Sequence, residues 1–212
     1  MADLKKLHDA VLNGDAKTAV AITREAIAEN LDPLGLISGT MVPAMDEVGR
    51  RYEQEEYFVP ELLLAARAMK GALELLRPLL AERGAKPAGK IAIGTVKGDL
   101  HDIGKNLVAS LLEGGGFEVI DLGADVPPER FIEVIRDKGV QIVCLSALLT
   151  VTMPSMKTTI EALNEAGVRD KVKVLVGGAP VTQQYANDIG ADGYGETASN
   201  AVVLARRHCG VA

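Results

Sequence analysis

The hydrophobic period of this chain changes once along its length, and the change leaves few folds open to it. Through about Arg83 the apolar residues recur at the three-to-four-residue spacing of a helix that buries one face. After Gly89 they come as short continuous runs, KIAIGTV, FEVIDLG, VQIVCLSAL and KVKVLVGG, each followed by a helical stretch, with a weaker fifth run, ADGYG, ahead of TASNAVVLARRHC. A continuous apolar run is a strand covered on both faces, and strands alternating with helices make right-handed crossovers in a parallel sheet. The second half therefore predicts an α/β domain, a doubly wound five-stranded parallel sheet in the flavodoxin-like order 2-1-3-4-5.

The first half predicts a four-helix bundle. Its helices fall near Leu4 to Leu12, Ala16 to Glu29, Leu34 to Gln54 and Pro60 to Glu82, with Asn13 and Gly14 ending the first and Asp15 capping the second. Pro33 and Pro60 suit helix starts, whereas Pro43 and Pro78 fall inside helices, where the missing donor predicts a kink or an early stop. The short connections imply antiparallel packing. The stretch GAKPAG breaks both periods, so the expected organisation is a helical domain over 1–83, a linker over 84–89 and an α/β domain over 90–212.

Charge and composition exclude several classes of function. A net charge of −6 and 3% aromatic residues give neither attraction to phosphate backbones nor platforms for bases, so no nucleic-acid partner is expected. No stretch approaches the roughly 18 uninterrupted apolar residues of a membrane span, and MADLKKLHDAVLNG reads as an amphipathic helix, not as a signal segment. The expected location is the cytoplasm, with no membrane partner. Cys144 and Cys209 lack zinc spacing and a secretory context, and are expected to be inert.

Doubly wound sheets bind ligands beyond the C-terminal ends of their strands, near the switch between strands one and three. Three features meet on that edge: Gly98 to Gly104 after strand one, Ser146 to Thr152 after strand three, and Gly177-Gly178 after strand four. His101 follows Asp99 by two residues, close enough for the carboxylate to take a hydrogen bond from one ring nitrogen while the other faces a metal. Gly104 opens the next helix without a side chain. A lone histidine does not hold a free ion, and neither a cysteine nor a second histidine lies near by to complete a zinc or iron shell. The metal would have to arrive already coordinated, as in a macrocyclic cofactor that asks the protein for one axial ligand.

DLHDIG (Asp99 to Gly104) matches the DxHxxG signature of cobalamin-binding domains, and SAL (Ser146 to Leu148) and GG (Gly177, Gly178) match that family's later elements in order and spacing. FVPELLLAARAMK (Phe58 to Lys70) resembles the last helix of the cap over the cobalamin in methionine synthase and in the small corrinoid proteins of methyltransferase systems. The resemblance covers essentially the whole chain. It implies cobalamin bound base-off, with the dimethylbenzimidazole tail in a channel of the α/β domain and His101 as lower cobalt ligand. Asp99 would be the partner of His101, and Thr152 stands where methionine synthase has a serine. The family pattern adds Gly98, Leu100, Asp102, Ile103 and Gly104 to the cofactor loop. Ser146 would bond the buried base, with Leu148 and Thr150 beside it. Gly177 and Gly178 would leave room for the tail, and Gly193 to Glu196, including Tyr194 and Glu196, would close on its far end. Phe58, Val59 and Leu62 would lie over the upper face, with the linker as hinge.

The activity so implied is that of a methyl carrier. Cob(I)alamin accepts a methyl group from a substrate-specific methyltransferase, and methylcob(III)alamin passes it to a second methyltransferase with a thiol or tetrahydrofolate acceptor. A reductive activation protein is a third implied partner. A substrate barrel needs about 200 residues or more, so the substrate-specific enzyme, of TIM-barrel type, must be another chain. The resemblance is closest to corrinoid proteins serving methylamine and quaternary-amine methyltransferases, with methanol and methoxyaromatic systems as neighbours. The alternative is the small cobalamin-binding subunit of an adenosylcobalamin-dependent mutase, which ordinarily lacks the helical cap. A sensor would need an output module, and a receiver domain would want an acid where strand three ends in Ser146. His8 and His208 have no partners at ligand spacing, Met41, Met45 and Met69 read as core, and Glu53, Glu55 and Glu56 as a solvated helix end.

Overall fold

The computed structural model describes residues 2–82 and 87–211, and Arg83 with residues 84–86 of the expected linker lie outside the described residues. The chain divides into two compact units, 1–87 with 113–116, and 88–112 with 117–212.

The helical unit begins with α1 (Leu4–Leu12), capped by Asp3, whose carboxylate accepts from the Lys6 amide. The helix ends at Asn13, and Gly14 turns the chain with φ of 71°. Only glycine fits there, because a Cβ would stand 2.5 Å from that of Leu64. Asp15 then caps α2 (Ala16–Ala28) by accepting from the Thr18 amide. The third predicted helix is more broken than its periodicity suggests. It runs as α3 (Pro33–Leu36), capped by Asp32, then a π-helical turn over Ile37–Met41, then α4 (Val42–Glu53). In that turn the Val42 amide reaches the Ile37 carbonyl, and the extra residue falls just before Pro43, whose ring cannot follow an unbroken α-helix and brings no donor. Pro78, by contrast, does not stop α5 (Val59–Glu82), which continues past it. Leu73 and Leu76 in the preceding turn are buried, and that packing carries the helix through the missing bond. Leu7, Val11, Met41, Met45, Leu62 and Met69 are buried as well, so the methionines are core as expected.

The α/β unit comprises β1 (Lys90–Thr95), α6 (Ile103–Gly114), β2 (Glu118–Asp121), α7 (Pro128–Lys138), β3 (Ile142–Ser146), α8 (Pro154–Glu165), a short 3-10 turn at Arg169–Lys171, β4 (Lys173–Gly177), α9 (Gln183–Asp188), β5 (Gly193–Gly195) and α10 (Ala198–Cys209). The strands pair in the order β2-β1-β3-β4-β5, all parallel, which is the predicted topology. Val143, Leu145, Val174 and Val176 pack with Phe131 of α7 and Met156, Ile160 and Leu163 of α8 in one buried cluster. Pairing of β1 with both β2 and β3 places the reversal of strand order between β1 and β3, where the loops that follow them part and leave a crevice. Register matters as much as order. Thr95 pairs with Ser146, Ser146 with Gly177 and Gly177 with Gly195, so one row of small side chains crosses four strands at their C-terminal ends.

Candidate functional site

The crevice is organised by one buried carboxylate. Asp99 leaves β1 in a turn that begins at Gly98, with φ of 87°, and none of its surface is exposed. One oxygen, Oδ1, accepts from the His101 amide at 3.0 Å and lies 2.7 Å from the His101 Nδ1. The other, Oδ2, accepts from the Thr152 hydroxyl at 2.6 Å, from the Leu148 amide at 2.8 Å and more weakly from the Leu149 amide at 3.4 Å. Burial pushes the carboxyl up, but the Thr152 hydroxyl, the His101 and Leu148 amides and the His101 ring outweigh it and hold Asp99 well below the usual carboxylate range. Asp99 is thus an anion at neutral pH and can only accept, which requires a proton on His101 Nδ1. A neutral ring with that tautomer presents a lone pair at Nε2.

His101 is half exposed and stands in an apolar setting. Leu100 is 77% exposed, Ile103 83% and Val151 79%, with Leu148 and Leu149 also open, which is far more apolar surface than a loop of this size offers water without a reason. Among the described residues no group of three or more His, Cys, Asp or Glu could hold a metal ion. The chain therefore offers one imidazole ligand, a proton-fixing anion behind it and an apolar rim, a set suited to a large, mostly apolar group that brings its own metal coordination. Gly104, at the start of α6, has open space where a Cβ would be.

Asp99, His101, Thr152 and the Leu148 amide are thus brought together, with Gly98, Leu100, Ile103 and Gly104 around them. Asp102, half-buried, uses its carbonyl to accept from the Asn106 amide. Thr150 is exposed beside Val151. Ser146 ends β3 half-buried in the small-residue row, while Tyr194 packs against the main core and Glu196 is exposed beyond β5. The two glycines at the end of β4, Gly177 within it and Gly178 just after, differ from expectation. A Cβ on Gly178 would stand 1.9 Å from the Ala147 carbonyl oxygen, and one on Gly177 3.0 Å from that of Gly195, so the space they leave is filled by neighbouring backbone. Phe58 belongs to the helical unit and is 63% exposed at the start of α5. Leu62 has no exposed surface; among the described residues the large apolar side chains exposed here are Phe58, just before α5, and Val59, Leu63 and Leu64 within it. Burial pushes the Cys144 thiol up to about 12 and raises Cys209 as well, so neither is an activated nucleophile.

Three residues of this site are not evident from motif spacing. The buried Thr95 hydroxyl donates to the His101 carbonyl at 2.9 Å. Asp125, in the loop after β2, accepts from the Gly98 amide at 2.7 Å and donates its own amide to the Asp99 carbonyl at 2.9 Å. Lys105 of α6, almost fully buried, reaches both Asp121 oxygens at 2.5 Å. A lysine on the inner face of an otherwise apolar helix was the available signal for the last pair. For Thr95 and Asp125 the partners are backbone groups that only the fold brings close.

The chain matches the B12 binding domain family twice, over residues 89–203 and, in a second family of the same description, over residues 3–77. It is 45% identical to the trimethylamine corrinoid protein of Methanosarcina barkeri over 94% of this chain and 93% of that one. It is 43% identical to the dimethylamine corrinoid protein of the same organism over 96% and 95%. The crystal structure of the methanol:cobalamin methyltransferase complex MtaBC from Methanosarcina barkeri superposes with a TM-score of 0.85 at 30% identity, covering 98% of this chain and 79% of that one.

Proposed function

The chain belongs to the methyltransferase corrinoid proteins, and on that premise we propose that it is a methyl carrier that binds cobalamin base-off and takes His101 Nε2 as the lower cobalt ligand. The observation that carries this is the state of one ring: Nδ1 is engaged by a buried anion at 2.7 Å, and Nε2 is left as a lone pair within an exposed apolar rim. When bound, the corrinoid supplies a cobalt centre that can take up and release a methyl group. The protein does the rest. Asp99 keeps the proton on Nδ1 and so fixes the tautomer that leaves the lone pair on Nε2, and the Thr152 hydroxyl with the Leu148 amide holds the carboxylate in place. Leu100, Ile103, Leu148 and Val151 give the corrin an apolar bed that excludes water. Thr95 and Ser146, small residues at the ends of β1 and β3, admit the nucleotide tail, with Ser146 positioned to bond its base, while Gly177 and Gly178 let the backbones of β5 and of the loop after β3 close upon β4.

The partners in this reading are two methyltransferases on separate chains and a reductive activation protein. The methylamine names of the relatives favour an amine-specific donor enzyme, which in this reading is a TIM barrel, and the neighbour of this fold in the methanol:cobalamin methyltransferase complex supports assembly with a methyltransferase. The match of the helical half to a B12 binding family of its own counts against the mutase subunit, which ordinarily lacks that half. Anaerobic reconstitution with hydroxocobalamin, reduction, and incubation with methylamine and methanol donor systems tests the proposal. The expected result is a chain that keeps corrinoid through gel filtration and is methylated by one donor system. A chain that elutes colourless, or that no donor methylates, contradicts it.

A further inference from the structure

Among the described residues only Asn30, Glu55 and Asp125 have positive φ without being glycine, and Asp125, at 55°, is the one in the α/β unit. The left-handed region costs a residue with a Cβ of order 1 kcal/mol, and aspartate tolerates it better than most. Core packing does not explain the residue, since Asp125 is exposed. Its bonds do. The Asp125 carboxylate accepts from the Gly98 amide at 2.7 Å and its amide donates to the Asp99 carbonyl at 2.9 Å, so one residue grips the β1 loop at two successive positions from a loop 27 residues away in sequence. Both bonds are made with the backbone in the left-handed region.

We propose that Asp125 is a positioning residue for His101, a role that rests on the reading of His101 as the cobalt ligand. Besides the turn bond from the Asp99 amide to the Val96 carbonyl at 3.1 Å, the backbone from Gly98 to His101 is held by three side chains. Asp125 holds its start, the Asp99 carboxylate takes the His101 amide at 3.0 Å, and the Thr95 hydroxyl holds the His101 carbonyl at 2.9 Å. Two of these anchors act through the fully buried Asp99 and Thr95. The third is Asp125, and among the described residues it alone ties the stretch from Gly98 to His101 to the segment after β2, which the Gly123 carbonyl joins to β1 through the Thr95 amide at 3.0 Å. Releasing that tie lets Gly98 and Asp99 move as a hinge, carrying the carboxylate that aims the ring. Ligand strength depends on such support: loss of a group bonded directly to a ligating histidine typically costs about 10- to 100-fold in metal affinity or activity, and Asp125, one step further out, acts at the lower end of that range.

Two substitutions separate the acceptor from the backbone shape. Asp125→Gly keeps the left-handed turn and removes the carboxylate; Asp125→Asn keeps the turn and an oxygen acceptor but removes the charge. Each full-length protein is loaded with cob(II)alamin, and the ratio of histidine-ligated to unligated cofactor is read by electron paramagnetic resonance. The expected result is a ratio lowered about tenfold in the Gly variant and near the wild-type value in the Asn variant. An unchanged ratio in the Gly variant overturns the inference alone, and an Asn variant as impaired as Gly overturns the hydrogen-bond mechanism. No axial histidine signal in the wild type overturns the functional reading beneath it. Hydrogen exchange of the Gly98 amide in the cofactor-free wild-type chain is an independent check that needs no variant: slow exchange is expected, and exchange as fast as in an unstructured loop contradicts the grip.

Discussion

Thr152→Val removes one proton donor from the buried carboxylate and leaves the side-chain shape almost unchanged. The Thr152 hydroxyl has a single proton and two acceptors in reach, Asp99 Oδ2 at 2.6 Å and the Leu149 carbonyl at 2.9 Å. The shorter bond goes to the charged oxygen, and hydrogen bonds to charged groups contribute about 1.5–3 kcal/mol. Asp99 would keep the His101 and Leu148 amides and the His101 ring, so the loss should stay within that range, a shift of roughly 10- to 100-fold in the unfolding equilibrium. The pH dependence follows from sign. The folded state depresses the Asp99 pKa, so the stabilisation is fully present above the unfolded carboxylate value of about 4 and is lost as pH falls through the lower folded value. The cost of Thr152→Val should therefore be constant from pH 8 to pH 5 and shrink only in stronger acid. Urea denaturation of the cofactor-free chain, followed by circular dichroism at several pH values, measures it. A Val variant as stable as wild type at pH 7 would refute the charge-assisted bond, and a cost that changes between pH 8 and pH 6 would assign it to another group.

Three further outcomes are expected. His101→Ala should retain corrinoid through the tail and apolar bed but lose the axial-ligand absorption signature, and an unchanged spectrum would reassign the ligand. Gly178→Ala should cost about 3 kcal/mol or more in the same denaturation assay, because its Cβ has no room before the Ala147 carbonyl and its φ of 133° is poorly open to alanine. The Lys105 and Asp121 pair should respond asymmetrically. Lys105→Met leaves a carboxylate that is 43% exposed and can rehydrate, costing about 1 kcal/mol, whereas Asp121→Asn leaves a buried ammonium without its anion, costing about 3 kcal/mol.

The sheet order and the pairing of Asp99 with His101 were legible because each leaves a local trace, whereas Thr152, 53 residues from Asp99, came only with the family resemblance. Alternating runs imply crossovers, crossovers imply the switch point, and the switch point gathers the loops. The start of the second helix was legible from its cap, Asp15, whereas the caps at Asp3 and Asp32 emerged only with the structure. Where a proline sits inside a helix the periodicity is silent about the response, and the two cases differ: Pro43 follows a π-helical turn, and Pro78 is carried by packing. Gly177 and Gly178 were legible as glycines but not as to what fills their space, since the Ala147 and Gly195 carbonyls approach only once β3, β4 and β5 are in register. Thr95 and Asp125 act on backbone atoms of a distant loop, and a pattern of side-chain types along the sequence carries no record of such bonds.

The central claim is that one imidazole of this chain binds cobalt through Nε2, and isotopic labelling of histidine tests it most directly. With the full-length protein grown on ¹⁵N-histidine and loaded with unlabelled cob(II)alamin, the account predicts that the axial-nitrogen splitting in the electron paramagnetic resonance spectrum changes from triplets to doublets. Triplets that persist would mean that the nitrogen on cobalt belongs to the cofactor's own base, and the account would be wrong.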